Sequence, residues 1–495
     1  MENKENMTKV APKPKKKPEA EILLDRQIEM RKKSRGTDIA IISVFCAFIL
    51  FFGIAFFVIP DKAISKTENR ALKQAPDLSF SRIVSDLKRD LRMMTMTESE
   101  KAEYRSEANW DNVKAAVGTD KSYKDYFAVF SDEIGDYYAD QFPFRDQLRA
   151  VKAATEIALL KRESNDVLFA GKYLVKKDTV SGVVIEEDGS TRARTSEDAK
   201  ETIKENVRMI SGIEKYLPDN IDIRTAIAGR TVDVARSALP AIFPYATTHA
   251  DEYWQTLKEA AEGSGVTTVD IRDTLQNRFA AGEYVCYKTD HHWTSLGAYY
   301  AYCDIIRSFG GEPYALDQFR REVFTKKFTG TTYAKAGACF GGMDTIELFR
   351  FDGDENYTST ITDSYGNVLT TLRAFYNQDV YRDINDKYGV FIGSDRSGDG
   401  GNNAVTIVTD NGQTQREKMI LIKDSFGNSL VPFLARHYDL IVLDMRVYTG
   451  DMEEFLSDPA LSHILVAYNM ETFMNDENIS NAALRIIPYF RSQSN

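Results

Sequence analysis

The sequence predicts an α/β protein whose working domain is built on a parallel sheet and hung from a single apolar helix. Three observations carry that expectation. Residues 39–59 run without a charge. From about Asn165 onward, strand-like and helix-like segments alternate. Near the C-terminus, three short apolar strands at 419–422, 440–443 and 464–467 are separated by helix-like segments near 429–436 and 451–456. Strand, helix, strand, helix, strand at that spacing means βαβαβ and a parallel sheet.

The apolar run is long enough to cross a ~30 Å hydrocarbon core. Fifteen of its residues are Ile, Leu, Val or Phe. Together they favour insertion by about 5 to 9 kcal/mol as an upper bound. No polar stripe at helical spacing marks it as a core helix. Val58-Ile59-Pro60-Asp61-Lys62-Ala63 offers no small-x-small cleavage site, so the segment reads as an uncleaved anchor. Arg26, Arg31, Lys32, Lys33 and Arg35 crowd its N-terminal flank, while Lys62, Lys66 and Arg70 follow more sparsely. The positive-inside bias then puts the N-terminus in the cytoplasm and everything after Pro60 outside.

The 495 residues allow roughly three domains at ~150 residues each. With 43% hydrophobic and 28% charged residues, the chain is neither disordered nor a disulfide framework. Net charge is −11, which argues against nucleic acid as the main partner. The first 38 residues are basic, so the remainder is more acidic still. Four cysteines and five histidines leave little from which to build a zinc or iron–sulfur centre, and we expect no metal and no cofactor. Outside the anchor, Cys286, Cys303 and Cys339 form an odd set, so one disulfide or none is open.

Four segments follow: a basic cytoplasmic tail at 1–38, a transmembrane anchor at 39–60, a helical juxtamembrane stalk at 61–164 and the working domain at 165–495. Helices are expected in the stalk at 79–87, 122–141 and 146–160. In the working domain, Ala170-Gly171-Lys172 turns a hairpin between 167–169 and 173–175. Residues 221–228 form a strand, 239–262 a helix and 266–271 a strand. Thr294 caps a helix running to about Arg307. Residues 390–411 read as a hairpin around a loop rich in Gly, Asn and Asp.

In open parallel sheets the ligand site lies beyond the carboxyl ends of the strands. That rule nominates Asp424-Ser425, residues 444–448 and Tyr468-Asn469. A serine at a strand-to-helix turn is exposed near backbone N–H groups able to hold an oxyanion. The competing role for Ser425 or Asp424 is a helix cap. A nucleophilic serine needs a base. Asp290 and His292 stand two residues apart in Tyr287-Lys288-Thr289-Asp290-His291-His292-Trp293-Thr294, so in an extended segment they project to one side. Asp290 would hold the imidazole in the tautomer that accepts the serine proton. His291 would then point away. A metal site from Asp290, His291 and His292 is the rival reading, but adjacent histidines on an extended segment do not face one ion.

Residues 287–300, with Asp290-His291-His292-Trp293, resemble the signature of the DHHW protein family. So do Lys423-Asp424-Ser425-Phe426-Gly427-Asn428, His437-Tyr438-Asp439, Leu443-Asp444-Met445-Arg446, Glu68-Asn69-Arg70 and Phe142-Pro143-Phe144-Arg145. That family is similar to the SGNH-hydrolase-like alginate O-acetylation proteins. The resemblance implies a three-layer α/β/α fold around a flavodoxin-like parallel sheet, with Ser425, His292 and Asp290 as a catalytic triad. Asn469 matches the asparagine that completes an oxyanion hole, with a plain turn residue as its alternative. Lys423 stands where a Gly-Asp-Ser motif has glycine, and Gly427 is the nearest candidate for the missing one. Trp293 either stacks on a sugar or packs under the helix. Arg446 and Tyr448 either line an acceptor groove or are structural.

By the same resemblance, the implied activity is an extracytoplasmic O-acyl (acetyl) transfer to a cell-envelope or secreted polysaccharide. A membrane-bound O-acyltransferase partner would supply the acyl group. An acetylesterase using the same three residues, or a non-catalytic polysaccharide-binding or assembly protein, are the alternatives.

Overall fold

A computed structural model describes residues 19–75 and 134–493, apart from 66, 68–69, 178–179, 181–182, 186–190, 240–248, 338–341, 383, 385, 395–402 and 414. Two compact units emerge, one made of residues 1–61 with 141–143 and the other of the rest. In the first, Glu19–Val58 is one continuous helix. Its 23-residue stretch Gly36–Val58 is long and apolar enough to cross a membrane by length and composition. The predicted helices at 79–87 and over most of 122–141 lie outside the described residues. The third is Arg145–Ala158.

The second unit is organised by an eight-stranded sheet. Its strands in chain order are β1 (Asp222–Ala228), β2 (Thr268–Val269), β3 (Tyr357–Thr362), β4 (Val368–Arg373), β5 (Val405–Asp410), β6 (Lys418–Lys423), β7 (Asp439–Leu443) and β8 (Leu461–Asn469). Across the sheet they lie β4-β3-β5-β7-β6-β8-β1-β2. The five from β7 to β2 are parallel. If β6 is counted as the first, those five follow the flavodoxin order 2-1-3-4-5, with the last two supplied early in the chain. The fold is therefore the expected three-layer α/β/α arrangement in permuted order.

The layers follow from strand geometry, since alternate side chains face opposite sides. Met419 and Leu421 of β6 pack with Ser295–Ser308, Ile271–Ala280 and the Val431–Leu434 turn. Ile420 and Ile422 pack on the other face with Ser196–Tyr216, Ala250–Ser264 and Ile479–Gln493. Strands buried on both faces read as unbroken apolar runs, which is why β6, β7 and β8 were legible.

The sheet is nevertheless mixed. β3, β4 and β5 extend it by antiparallel pairing. This corrects the expected hairpin at 390–411. Lys387–Val390 is a 3-10 turn, and β5 pairs with β3 and β7 instead. The loop expected between the hairpin strands lies largely outside the described residues. Alternation identifies a strand but not its partner, and here the partners come from elsewhere in the chain. The expected strand at 266–271 is also shortened to two residues, because the Asp270 carboxylate accepts the Asp273 amide and starts a helix at Ile271. The hairpin at 167–176 and the Thr294 cap are as expected.

Candidate active site

β6 ends at Lys423, and the chain turns at once into the 3-10 segment Ser425–Leu430. Asp424 fixes that turn. One carboxylate oxygen accepts the Phe426 amide at 2.9 Å, and the other accepts the Asn469 amide at the end of β8 at 2.8 Å. Asp424 thus ties two adjacent strand ends together, and Ser425 is left half-buried at the rim of the sheet.

The segment carrying Asp290 and His292 is a closed loop. Cys286 and Trp293 form an antiparallel bridge across it. The Tyr287 amide donates to the His292 carbonyl at 3.2 Å. Asp344, buried beneath, accepts the Lys288 and Thr289 amides, the Thr289 hydroxyl and the Tyr284 hydroxyl. Because the loop is not extended, alternation of sides does not apply. The His291 and His292 rings lie 3.9 Å apart on the same side, contrary to the expectation that His291 points away. The Nδ1 atom of His291 is 2.7 Å from the Thr331 hydroxyl.

The three residues singled out by sequence meet. His292 Nε2 is 2.8 Å from Ser425 Oγ, across 133 positions of chain. His292 Nδ1 is 2.5 Å from Asp290 Oδ1, which also accepts the His292 amide at 3.0 Å. Asp290 Oδ2 accepts the Thr331 amide at 2.8 Å and its hydroxyl at 3.1 Å. Asp290 therefore accepts four hydrogen bonds, and the network assigns the imidazole proton to Nδ1 and leaves Nε2 to accept from serine. Tyr388, which sequence reasoning missed, stacks on the imidazole at 3.9 Å and 14°. Its hydroxyl reaches Ser429 Oγ at 3.1 Å. No local motif marks Tyr388; only the fold brings it to the ring.

The electrostatics follow from burial and from one shared carboxylate. Burial opposes ionisation of Asp290, yet the two imidazoles hold its carboxyl well below the ordinary range. Burial, then the neighbouring His291, push His292 down to about 4 against the pull of Asp290. Burial also works against charge on His291, but Asp290 outweighs it and raises that group. His292 is thus neutral at pH 7, with Nε2 placed to accept a hydrogen bond from Ser425.

Asp290, His291 and His292 also form a group whose potential ligand atoms lie within 4.8 Å of one another. Most of their donors and acceptors are engaged within the protein. Asp290 is saturated, both His292 nitrogens are used, and His291 Nδ1 sits on Thr331.

The other nominated residues divide. Arg446 and Asn469 line a cleft of about 720 Å³ beside Ser425. Arg446 is held fork to fork by Asp444, at 2.8 and 2.6 Å. Asn469 caps the Met470–Asn475 helix by accepting the Glu471 amide, and its carboxamide nitrogen donates to the Ala228 carbonyl at 3.3 Å. Trp293 is 4% exposed, donates to Ser429 Oγ at 2.8 Å and packs on Phe426, so it does not stack on a sugar. Gly427 is buried away from the cleft, and its amide is given to the Asp424 carbonyl. A Cβ there would lie 2.5 Å from Lys423 Cβ, so this glycine makes room for the Lys423 stem rather than for substrate. Lys423 itself is buried, 3.5 Å from Asp444. Tyr448 donates to the Asp451 carbonyl and is structural. Cys286 and Cys303 are buried free thiols, and Cys339 lies outside the described residues.

One glycine does bear on the site. A Cβ on Gly330 would lie 2.1 Å from Asp290 Oδ2. Gly330→Ala is therefore expected to displace that carboxylate, cost about 1–3 kcal/mol of stability and lower activity. Thermal melting together with an ester assay checks this. An unshifted melt with full activity would show that the carboxylate has more room than the packing suggests.

A permuted α/β/α sheet with a serine, an imidazole and a carboxylate in line at its carboxyl edge defines an SGNH-hydrolase-like domain. Residues 190–339 match the family described as SGNH hydrolase-like domain, acetyltransferase AlgX. Residues 266–443 match the family described as DHHW protein, so the resemblance carried by the Asp290-His291-His292-Trp293 motif holds. Similar solved structures include a DHHW family protein from Eubacterium siraeum, 19% identical, covering 64% of this chain and 96% of that one, with a TM-score of 0.47. Bacillus cereus PatB1 is 18% identical, with 63% and 98% coverage and a TM-score of 0.46. The O-acetyltransferase domain of Pseudomonas putida AlgJ is 14% identical, with 62% and 99% coverage and a TM-score of 0.36. Among curated proteins, none matches.

Proposed function

We propose that this chain is an extracytoplasmic O-acyl (acetyl) transferase acting on polysaccharide and anchored by its N-terminal helix, with the tail before the helix in the cytoplasm. The observation that carries the proposal is the hydrogen-bonded line from Ser425 Oγ through His292 to Asp290. The AlgX-type family match supports acetyl transfer as the reaction class.

In this reading Ser425 Oγ attacks the carbonyl carbon of an acyl donor while His292 Nε2 takes the hydroxyl proton. Asp290 stabilises the imidazolium, which then protonates the departing group and leaves an acyl-serine. A sugar hydroxyl attacks that ester, His292 takes its proton, and Ser425 is released protonated. The Asn469 carboxamide, which keeps one N–H beyond that given to Ala228, and the Ser425 amide are the donors assigned to the oxyanion. A membrane-bound O-acyltransferase is the partner assigned to bring acyl groups to the outer face. With water as acceptor, the same steps describe an acetylesterase.

The test is a chromogenic acetyl ester given to the full-length protein in detergent. A burst of leaving group equal to the enzyme present, with an acetyl adduct located on Ser425 by mass spectrometry, is expected. No burst and no adduct would reject the proposal. The pH profile is a second check. His292 must be neutral to act as base, and its folded value is depressed, so kcat/KM should hold down through pH 6 and fall as pH drops through about 4. An acid limb at the ordinary histidine value of ~6.5 would contradict the burial of this imidazole.

A further inference from the structure

We infer that the acceptor taken by this cleft is an uncharged, hydroxyl-rich glycan rather than an acidic one. The inference rests on the acyl-transfer reading above and concerns the charge of the polymer alone.

Carboxylated sugars are bound most strongly by a guanidinium or ammonium that faces the substrate. The cleft beside Ser425 has four cationic side chains besides His291: three have a carboxylate within ion-pair distance, and Arg194 is held by carbonyl and hydroxyl oxygens. Lys176 is ion-paired with Glu471. Arg446 is clamped by Asp444. Arg194 donates to the Met474, Asn475 and Asp198 carbonyls and to the Thr202 hydroxyl, which ties it to the end of the Met470–Asn475 helix. Lys335 has Asp166 at 3.9 Å, and burial lowers its affinity for a proton.

The anions of the same cleft are less completely neutralised. Asp476 accepts the Asn478 amide, and among the described residues neither Asp476 nor Glu477 has a cation within ion-pair distance. Asp424 accepts two backbone amides. An acidic chain entering here would meet these acceptors while the lysines and arginines of the cleft are held by the protein, in a protein that is acidic as a whole. A neutral sugar instead brings O–H donors to those carboxylates. Its oxygens can take hydrogen bonds from hydroxyl groups such as those of Thr332 and Thr472, which also line the cleft.

The experiment uses the full-length protein in detergent with a chromogenic acetyl ester as donor. Two acceptors are compared: an oligouronate and its carboxyl-reduced counterpart of the same length and linkage. Transfer to the reduced chain is expected with a KM at least about tenfold lower than to the uronate. Glu471→Gln, which releases Lys176, should narrow that ratio by about tenfold. Equal or better use of the uronate would overturn the inference. So would a Ser425-dependent burst with no transfer to the reduced chain, and acyl transfer would then still stand. Loss of the burst itself rejects the underlying reading instead.

Discussion

Ser425→Ala and His292→Ala are each expected to lower turnover of an activated acetyl ester by about 10⁴-fold, and the double variant is expected to lose little more. The reason is geometric. Among the described residues, Ser425 Oγ has one base within reach, His292 Nε2 at 2.8 Å. That imidazole is clamped by Asp290 at its far nitrogen, by Tyr388 stacked at 3.9 Å and by Phe426 with ring centroids 4.7 Å apart. The two residues act as a unit, so removing either ends the same proton transfer. Ser425→Ala deletes one half-buried hydroxyl and should leave stability within about 1 kcal/mol. An intact melting curve therefore separates lost chemistry from lost fold. A Ser425→Ala variant that kept a tenth of its activity would sink the nucleophile assignment.

Asp290→Asn is expected to cost about 10³- to 10⁴-fold in kcat, with the KM for a small ester little changed. Four donors converge on the two oxygens of Asp290: the His292 amide and ring N–H, and the Thr331 amide and hydroxyl. An asparagine has one acceptor oxygen and an NH₂ group. Turned either way, it sets donor against donor on one side of a carboxamide that is almost fully buried. Facing His292, the NH₂ favours the tautomer with the proton on Nε2, which cannot accept from serine. Facing Thr331, it breaks the contact that holds the loop. An unsatisfied buried donor costs about 1–3 kcal/mol, so the variant should also melt earlier. Full activity in Asp290→Asn would mean that the base needs no partner to fix its tautomer.

Much of the site was legible because its signals are local. Ser425 follows an apolar strand and precedes a turn, and strand-end placement is a general property of parallel sheets. Asp290 and His292 are two residues apart and the pairing survived, although its stated reason did not. The loop is closed by the Cys286–Trp293 bridge instead of being extended, which is why His291 was placed on the wrong side. Gly427 does not supply the missing motif glycine, and Trp293 takes the packing role of its two alternatives. Their motif positions lie next to reactive residues, but both point into the core, one against Lys423 and the other to Ser429. The antiparallel half of the sheet was missed because β3 alternates Tyr, Ser and Ile inward with Thr outward, a pattern too polar to stand out as a core strand.

By itself the sequence determined the features that depend on neighbouring residues: an apolar helix long enough to span a bilayer, the strands β6, β7 and β8, and the identity of the hydroxyl, imidazole and carboxylate. Only the tertiary structure decided which groups face one another: Tyr388 on the imidazole, Thr331 beneath Asp290, Glu471 against Lys176. Those contacts join segments far apart in the chain. Periodicity and motif spacing are set by a few consecutive residues, whereas a 2.8 Å contact across 133 positions exists only once the sheet has closed.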